Sequence, residues 1–138
     1  MTRPLLAFAF VALLATCRRD PQSVKFDQYF VQGQSLYEKH CSNCHQKSGD
    51  GLALLFPPLK GSDYLMQNFD AVLCQMKYGR DGEVIVNGRS FNKKMPGIPS
   101  LTELEIAEIA TFIGNEWGNK KGLTEVSTVH QALEKCSP

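Results

Sequence analysis

Residues 40–51, HCSNCHQKSGDG, place Cys41 and Cys44 two residues apart with His45 immediately after. Such a cluster serves three chemistries: a zinc site, a dithiol redox couple, or covalent attachment of haem. A four-ligand structural zinc site needs a second pair of Cys or His at suitable spacing, but Cys74 and Cys136 stand alone and far apart. A thioredoxin-like dithiol follows a strand and opens a helix, and no strand pattern precedes Cys41. Phe26, Phe30, Gly33, Leu36, Tyr37 and Cys41 instead recur at spacings of three and four, the period of a helix with one apolar face. Residues at i, i+3 and i+4 of a helix share a face, so Cys41, Cys44 and His45 point together at one flat ligand. Haem suits this arrangement, with both thiols adding to it as thioethers and the imidazole binding iron.

The beginning of the chain, MTRPLLAFAFVALLATC (1–17), has an early arginine, an apolar run from Leu5 to Ala15, and then Cys17. It reads as an export signal. The run stops well short of the roughly 20 apolar residues that cross a bilayer. Its end, LLATC, resembles a bacterial lipobox, which implies that Cys17 becomes the lipidated first residue of the mature protein. That divides the chain into a signal at 1–16, a lipidated anchor and tether at 17–27, and one domain at 28–138. The tether assignment rests on the polar stretch RRDPQSVKFDQ, which lacks clear periodicity. The expected location is the periplasmic face of a bacterial membrane, with plain soluble export as the alternative.

Removing the signal leaves about 120 residues, enough for one domain that buries roughly two-thirds of its unfolded surface. A formal net charge of +1 supplies no basic field for nucleic acid. The sequence contains no internal repeat and no low-complexity segment.

Several separate motifs together resemble class I cytochromes c, from about Gln28 to Gly118. GQSLYEKHCSNCH (33–45) is similar to that family's first helix, where a glycine and an aromatic, here Gly33 and Tyr37, pack against the last helix. The resemblance implies an all-α class I cytochrome c fold around one covalently attached haem c, with His45 as proximal ligand. PPLKGS (57–62) resembles the segment in which a proline carbonyl accepts the N–H of the proximal histidine, so Pro57 is the candidate acceptor. Such a bond sets the tautomer and orientation of an axial imidazole. The distal ligand is expected on a loop ahead of the last helix, and NKKMPG (92–97) provides Met95 there. Proline after it holds Met95 extended. Met66 and Met76 lie in DYLMQNFDAVLCQMKYG (63–79), one expected helix, and read as core filler.

Thr102 and Glu105 form a capping box. Ile106, Ile109, Ala110, Ile113 and Trp117 follow at helical spacing, with Ile109 and Phe112 at the family's places for packing on the first helix. Asn87-Gly88 between β-prone runs signals a small hairpin, expected to cover an edge of the haem. VNGRSFN, the Met-Pro loop and WGN resemble cytochrome c domains that work with bacterial alcohol dehydrogenases and copper nitrite reductases. GLTEVSTVHQAL resembles their tail. Val126, Val129 and Leu133 give that tail an apolar face, and Thr124 is its candidate cap.

Cysteine arithmetic leaves Cys74 and Cys136. In an oxidising compartment they form a candidate disulfide clamping the tail to the middle helix; the alternative is two unpaired thiols. His40 and His130 have no partners at ligand spacing. Lys47, Lys60, Lys93 and Lys94 flank the haem motifs and are candidates to steer acidic partners.

Taken together, the expected function is electron transfer without catalysis, in which no small-molecule substrate binds. The partners are redox proteins: a dehydrogenase, a nitrite reductase or a terminal oxidase. The alternative is a haem-based gas sensor or enzyme in which the distal ligand leaves readily.

Overall fold

The computed structural model describes residues 20–136. Helix α1, Pro21–His40, opens with proline at its first positions, where the missing N–H costs nothing and the ring presets φ. Residues 21–27, expected within a tether, are therefore helical. Contacts four residues apart within the helix favour this, Phe26 stacking on Phe30 with ring centroids 5.9 Å apart and Lys25 lying over the Tyr29 ring, and one tertiary contact does too, the Lys25 ammonium bonding Glu125. Glu125 lies 100 residues further along the chain, so its bond to Lys25 leaves no trace in the local pattern.

Helix α2, Ser42–His45, follows a kink at Cys41. The expected middle helix is two, α3 at Asp63–Gln67 and α4 at Phe69–Tyr78, interrupted at Asn68. Asn68 donates both its backbone N–H, at 2.8 Å, and its side-chain amide, at 3.3 Å, to the Tyr64 carbonyl, closing the end of α3. Ser62 caps α3 by accepting the Leu65 N–H.

The capping box forms as expected: Thr102 Oγ1 accepts the Glu105 N–H, and Glu105 accepts the Thr102 N–H at 2.8 Å. It starts α5, Glu103–Ile113, whose Ile106, Ile109 and Ala110 are essentially inaccessible to solvent. Trp117 lies beyond the helix end, in left-handed backbone at φ 53°. Its ring turns back to contact Tyr37 and Phe112, at centroid distances of 5.3 and 5.4 Å. Helices α1 and α5 touch at Gly33, where any Cβ would lie 2.0 Å from the Glu108 carbonyl oxygen. Only glycine permits that approach.

The fold is not purely helical. Strands β2 (Val84–Val86) and β3 (Arg89–Phe91) form the expected hairpin, with Asn87 and Gly88 both at positive φ, as a type I′ turn requires. A second pair was not foreseen: β1 (Gly79–Arg80) runs antiparallel to β4 (Met95–Pro96).

Helix α6, Val126–Leu133, buries Val129 and Ala132. Thr124 does not cap it. The residue at the cap position is Glu125, and Thr124 is buried one step earlier, donating its backbone N–H to Thr111 Oγ1 at 3.0 Å. Cys74 and Cys136 form a disulfide that ties the end of this tail to α4. The signal stretch and Cys17 lie outside the described residues. Among those described, no helix is long and apolar enough to cross a membrane.

Candidate functional site

The kink at Cys41 does not disturb the turn after it. Cys44 and His45 both donate their backbone N–H groups to the Cys41 carbonyl, at 3.1 and 3.0 Å, so the three side chains retain helical spacing. Burial pushes the Cys41 thiol up to about 12, with Cys44 adding to the shift. An activated dithiol needs the opposite, a depressed thiol, and Cys41 and Cys44 are unbonded. Among the described residues no group of three or more His, Cys, Asp or Glu converges on a metal, which leaves structural zinc without a ligand set.

His45 Nδ1 lies 3.0 Å from the Pro57 carbonyl oxygen, the contact expected from the sequence. Burial lowers its pKa and the bond to Pro57 opposes that shift. With Nδ1 donating to Pro57, the neutral ring leaves Nε2 free as a donor to a metal. Gly51 makes this contact possible. Its φ is +68°, and a Cβ there would lie 2.2 Å from the Phe56 oxygen and 2.7 Å from the Pro57 carbonyl. The loop is also fastened by Tyr37 Oη donating to the Gln46 carbonyl at 2.6 Å. Buried Asn119 bridges it to α5, donating to the Leu59 and Ile113 carbonyls.

Met95 sits in β4, with Arg80 as its partner across the ladder. The chain after it is held to α4 as well: Ile98 N–H donates to the Met76 carbonyl at 2.9 Å. Lys77 Nζ donates to the Pro99 and Leu101 carbonyls at 2.7 and 2.6 Å. Gly79 and Gly97 allow this seam, because a Cβ at Gly97 would lie 2.4 Å from the Tyr78 carbonyl carbon.

One cavity of about 930 Å³, mouth included, brings these residues together. Cys41, Cys44, His45, Pro57 and Met95 all line it, and its walls are mostly apolar, with Leu65, Val72, Phe91, Ile109 and Ile113 among them. Met76 also lines it and is buried, whereas Met66 only packs against the core. His40 and His130 are not in the wall; exposed His130 lies between Glu103 and Glu134. The donor set suits haem: two thiols one helical turn apart, an oriented neutral imidazole, and a thioether, a ligand type found opposite histidine in cytochromes c. An apolar slot excludes water around such a group.

Three of the four flanking lysines meet carboxylates at the surface. Lys47 pairs with Glu38, Lys60 with Asp50 and Lys94 with Asp81. Sequence reasoning missed Lys77, Asn119, Tyr64 and Arg80. Their roles depend on partners distant in sequence, and only the glycines of YGR and MPG signalled a close approach.

The family model described as "Cytochrome C oxidase, cbb3-type, subunit III" matches residues 30–113. The chain is 30% identical over 125 residues to cytochrome c-552 of Thermus thermophilus, covering 88% of this chain and 76% of that protein. It is 34% identical over 93 residues to the cytochrome c subunit of a quinone alcohol dehydrogenase from Gluconacetobacter polyoxogenes. That match covers 65% of this chain but only 19% of the subunit. A similar subunit from Gluconobacter oxydans is 27% identical over 108 residues, 77% of this chain and 23% of the subunit.

Proposed function

Because this chain belongs to the cytochrome c family, whose members carry covalently bound haem c and transfer electrons, we propose that it is a single-haem carrier working between redox proteins at the periplasmic face of a bacterial membrane. The observation that carries this reading is the convergence of one Cys-x-x-Cys-His turn and one methionine on a single apolar cavity.

Haem c would supply a one-electron iron couple. Cys41 and Cys44 would hold it covalently, and His45 and Met95 would bind its iron. The Pro57 carbonyl keeps the imidazole in one tautomer and orientation. The strand pairing at Met95 and the bonds from Lys77 and Ile98 keep the thioether from drifting, which counts against a labile distal ligand and hence against the sensor reading. With His45 and Met95 both bound to iron, the protein would leave no place there for a substrate. The apolar walls exclude water and tune the potential.

A quinone alcohol dehydrogenase is one class of partner, supported by the likeness to the cytochrome subunits of such enzymes; a terminal oxidase and a copper nitrite reductase are the others. Cys17 carries the lipid anchor, which raises local concentration near membrane-bound partners.

The test is an optical spectrum of the matured protein, oxidised and reduced, with carbon monoxide then added to the reduced form. A low-spin spectrum with the weak long-wavelength band of ferric methionine ligation and no response to carbon monoxide supports the carrier. High-spin iron that takes up carbon monoxide readily refutes it. For the anchor, Cys17→Ser should release the protein from membranes; unchanged fractionation would refute lipidation.

A further inference from the structure

Helix α4 is held from two sides. On one side lies the segment that carries Met95. Met76 and Lys77 of α4 bond the chain that follows it, and α4 runs directly into Gly79 and Arg80, which pair with Pro96 and Met95. On the other side lies the tail, since α4 touches α6 more extensively than it touches α5.

The tail is fastened to other helices along its length. Glu125 bonds Lys25 of α1, while Thr124 and His130 bond Thr111 and Glu103 of α5. Its far end reaches α4 through the covalent bond between Cys136 and Cys74. Cys74 stands less than one helical turn before Lys77, so the anchorage of the tail and the mount of Met95 share one short rigid element.

This is also the bond that thiols can open. Cys41 and Cys44 are taken by thioethers in the haem-loaded protein, and thioethers do not exchange with thiols. Cys74 and Cys136 are both partly exposed, so an attacking thiolate has access to their sulfurs.

We propose that the Cys74–Cys136 disulfide is a reducible latch on the distal ligand, closed in the electron carrier and opened by a dithiol. This rests on the reading of Met95 as an axial ligand. In the opening step a thiolate of the reductant attacks one sulfur of the pair and displaces the other, forming a mixed disulfide, which the second thiolate of the reductant then resolves. The disulfide of the chain breaks and one forms in the reductant, with two electrons and two protons passing to Cys74 and Cys136. Once opened, the tail keeps its bonds to α1 and α5 and loses its covalent tie to α4. Helix α4 and the seam at Met95 gain freedom, and the thioether is held less firmly.

The experiment uses the haem-loaded protein. The parent is treated with dithiothreitol, the new thiols are blocked with N-ethylmaleimide and counted by mass, and the iron is reoxidised. The ferric methionine band is then read, followed by carbon monoxide uptake after reduction. The double variant Cys74→Ser with Cys136→Ser is read alongside without treatment. Both opened forms should lose part of the band and take up carbon monoxide, and the untreated parent should do neither. Untreated parent in urea that lowers its stability by the same amount, short of unfolding, should keep its band. A full band and no carbon monoxide uptake in the parent with both thiols blocked would overturn the latch. So would an equal loss of the band in urea, which would mark general softening, or a disulfide that dithiothreitol leaves intact in the folded parent. If the double variant holds no haem, the blocked parent decides. Failure of the Met95 reading is distinct, because the untreated parent itself would then lack the band.

Discussion

Met95 and Arg80 face each other across a two-residue antiparallel ladder, so the proposed axial ligand and the cation in the cavity share one seam. The next pair along it, Gly79 and Pro96, brings two chain segments so close that neither Gly79 nor Gly97 accommodates a Cβ. The mounting of the methionine is thus a backbone feature.

Gly97→Ala should separate β1 from β4 at a cost of about 1–3 kcal/mol, the usual range for forcing extra atoms into a packed site. Covalent haem should persist while the methionine band weakens and carbon monoxide gains access. Met95→Ala should do the same more completely and lower the potential. An undisturbed band in Gly97→Ala would show that the seam does not position Met95.

Gly33→Ala tests the crossing of α1 and α5. A Cβ there would lie 2.0 Å from the Glu108 oxygen and 2.9 Å from Phe112 Cβ, so the helices must part. The expected loss is roughly 1–3 kcal/mol in denaturant unfolding, against little change for the exposed neighbour change Gln34→Ala.

Cys136→Ser removes a cross-link between positions 62 residues apart. The chain-entropy estimate is a loss of about 4 kcal/mol. Reductant should destabilise the parent and leave the variant unaffected, since thioether links to haem are not reducible by thiols. Equal sensitivity of both proteins would exclude the disulfide as the cause.

His130 joins α6 to α5 through Glu103, at 3.0 Å, and also meets Glu134 on its own helix. These carboxylates raise its pKa, the bond to Glu103 most. A histidine pKa raised on folding contributes stability below its unfolded value, and the contribution is lost as pH rises through the folded value. The difference in melting temperature between the parent and His130→Gln should therefore be present in mild acid and vanish in mild alkali. High salt should reduce it. A difference that grows with pH would contradict the assignment.

Much of this protein was legible as a sequence because its decisive signals are local. The Cys-x-x-Cys-His turn, the capping box of Thr102 and Glu105, and the Asn87-Gly88 hairpin each depend on residues within one or two turns of each other. Gly33, Tyr37 and Phe112 were legible through family likeness, since nothing near Gly33 says that another helix touches it.

Tertiary structure decided what depends on distant partners. The helix at residues 21–27 is fastened where Lys25 bonds Glu125 and where Phe30, on which Phe26 stacks, meets Phe112. Thr124 turns inward to Thr111 instead of capping α6. Met95 was identifiable from its loop, but its pairing with Arg80 was not, because a two-residue ladder leaves no periodic trace. The sequence determined which groups are available for chemistry, since motif spacing is covalent. Only folding decided how firmly each is held, since that depends on backbone contacts between segments far apart in the chain.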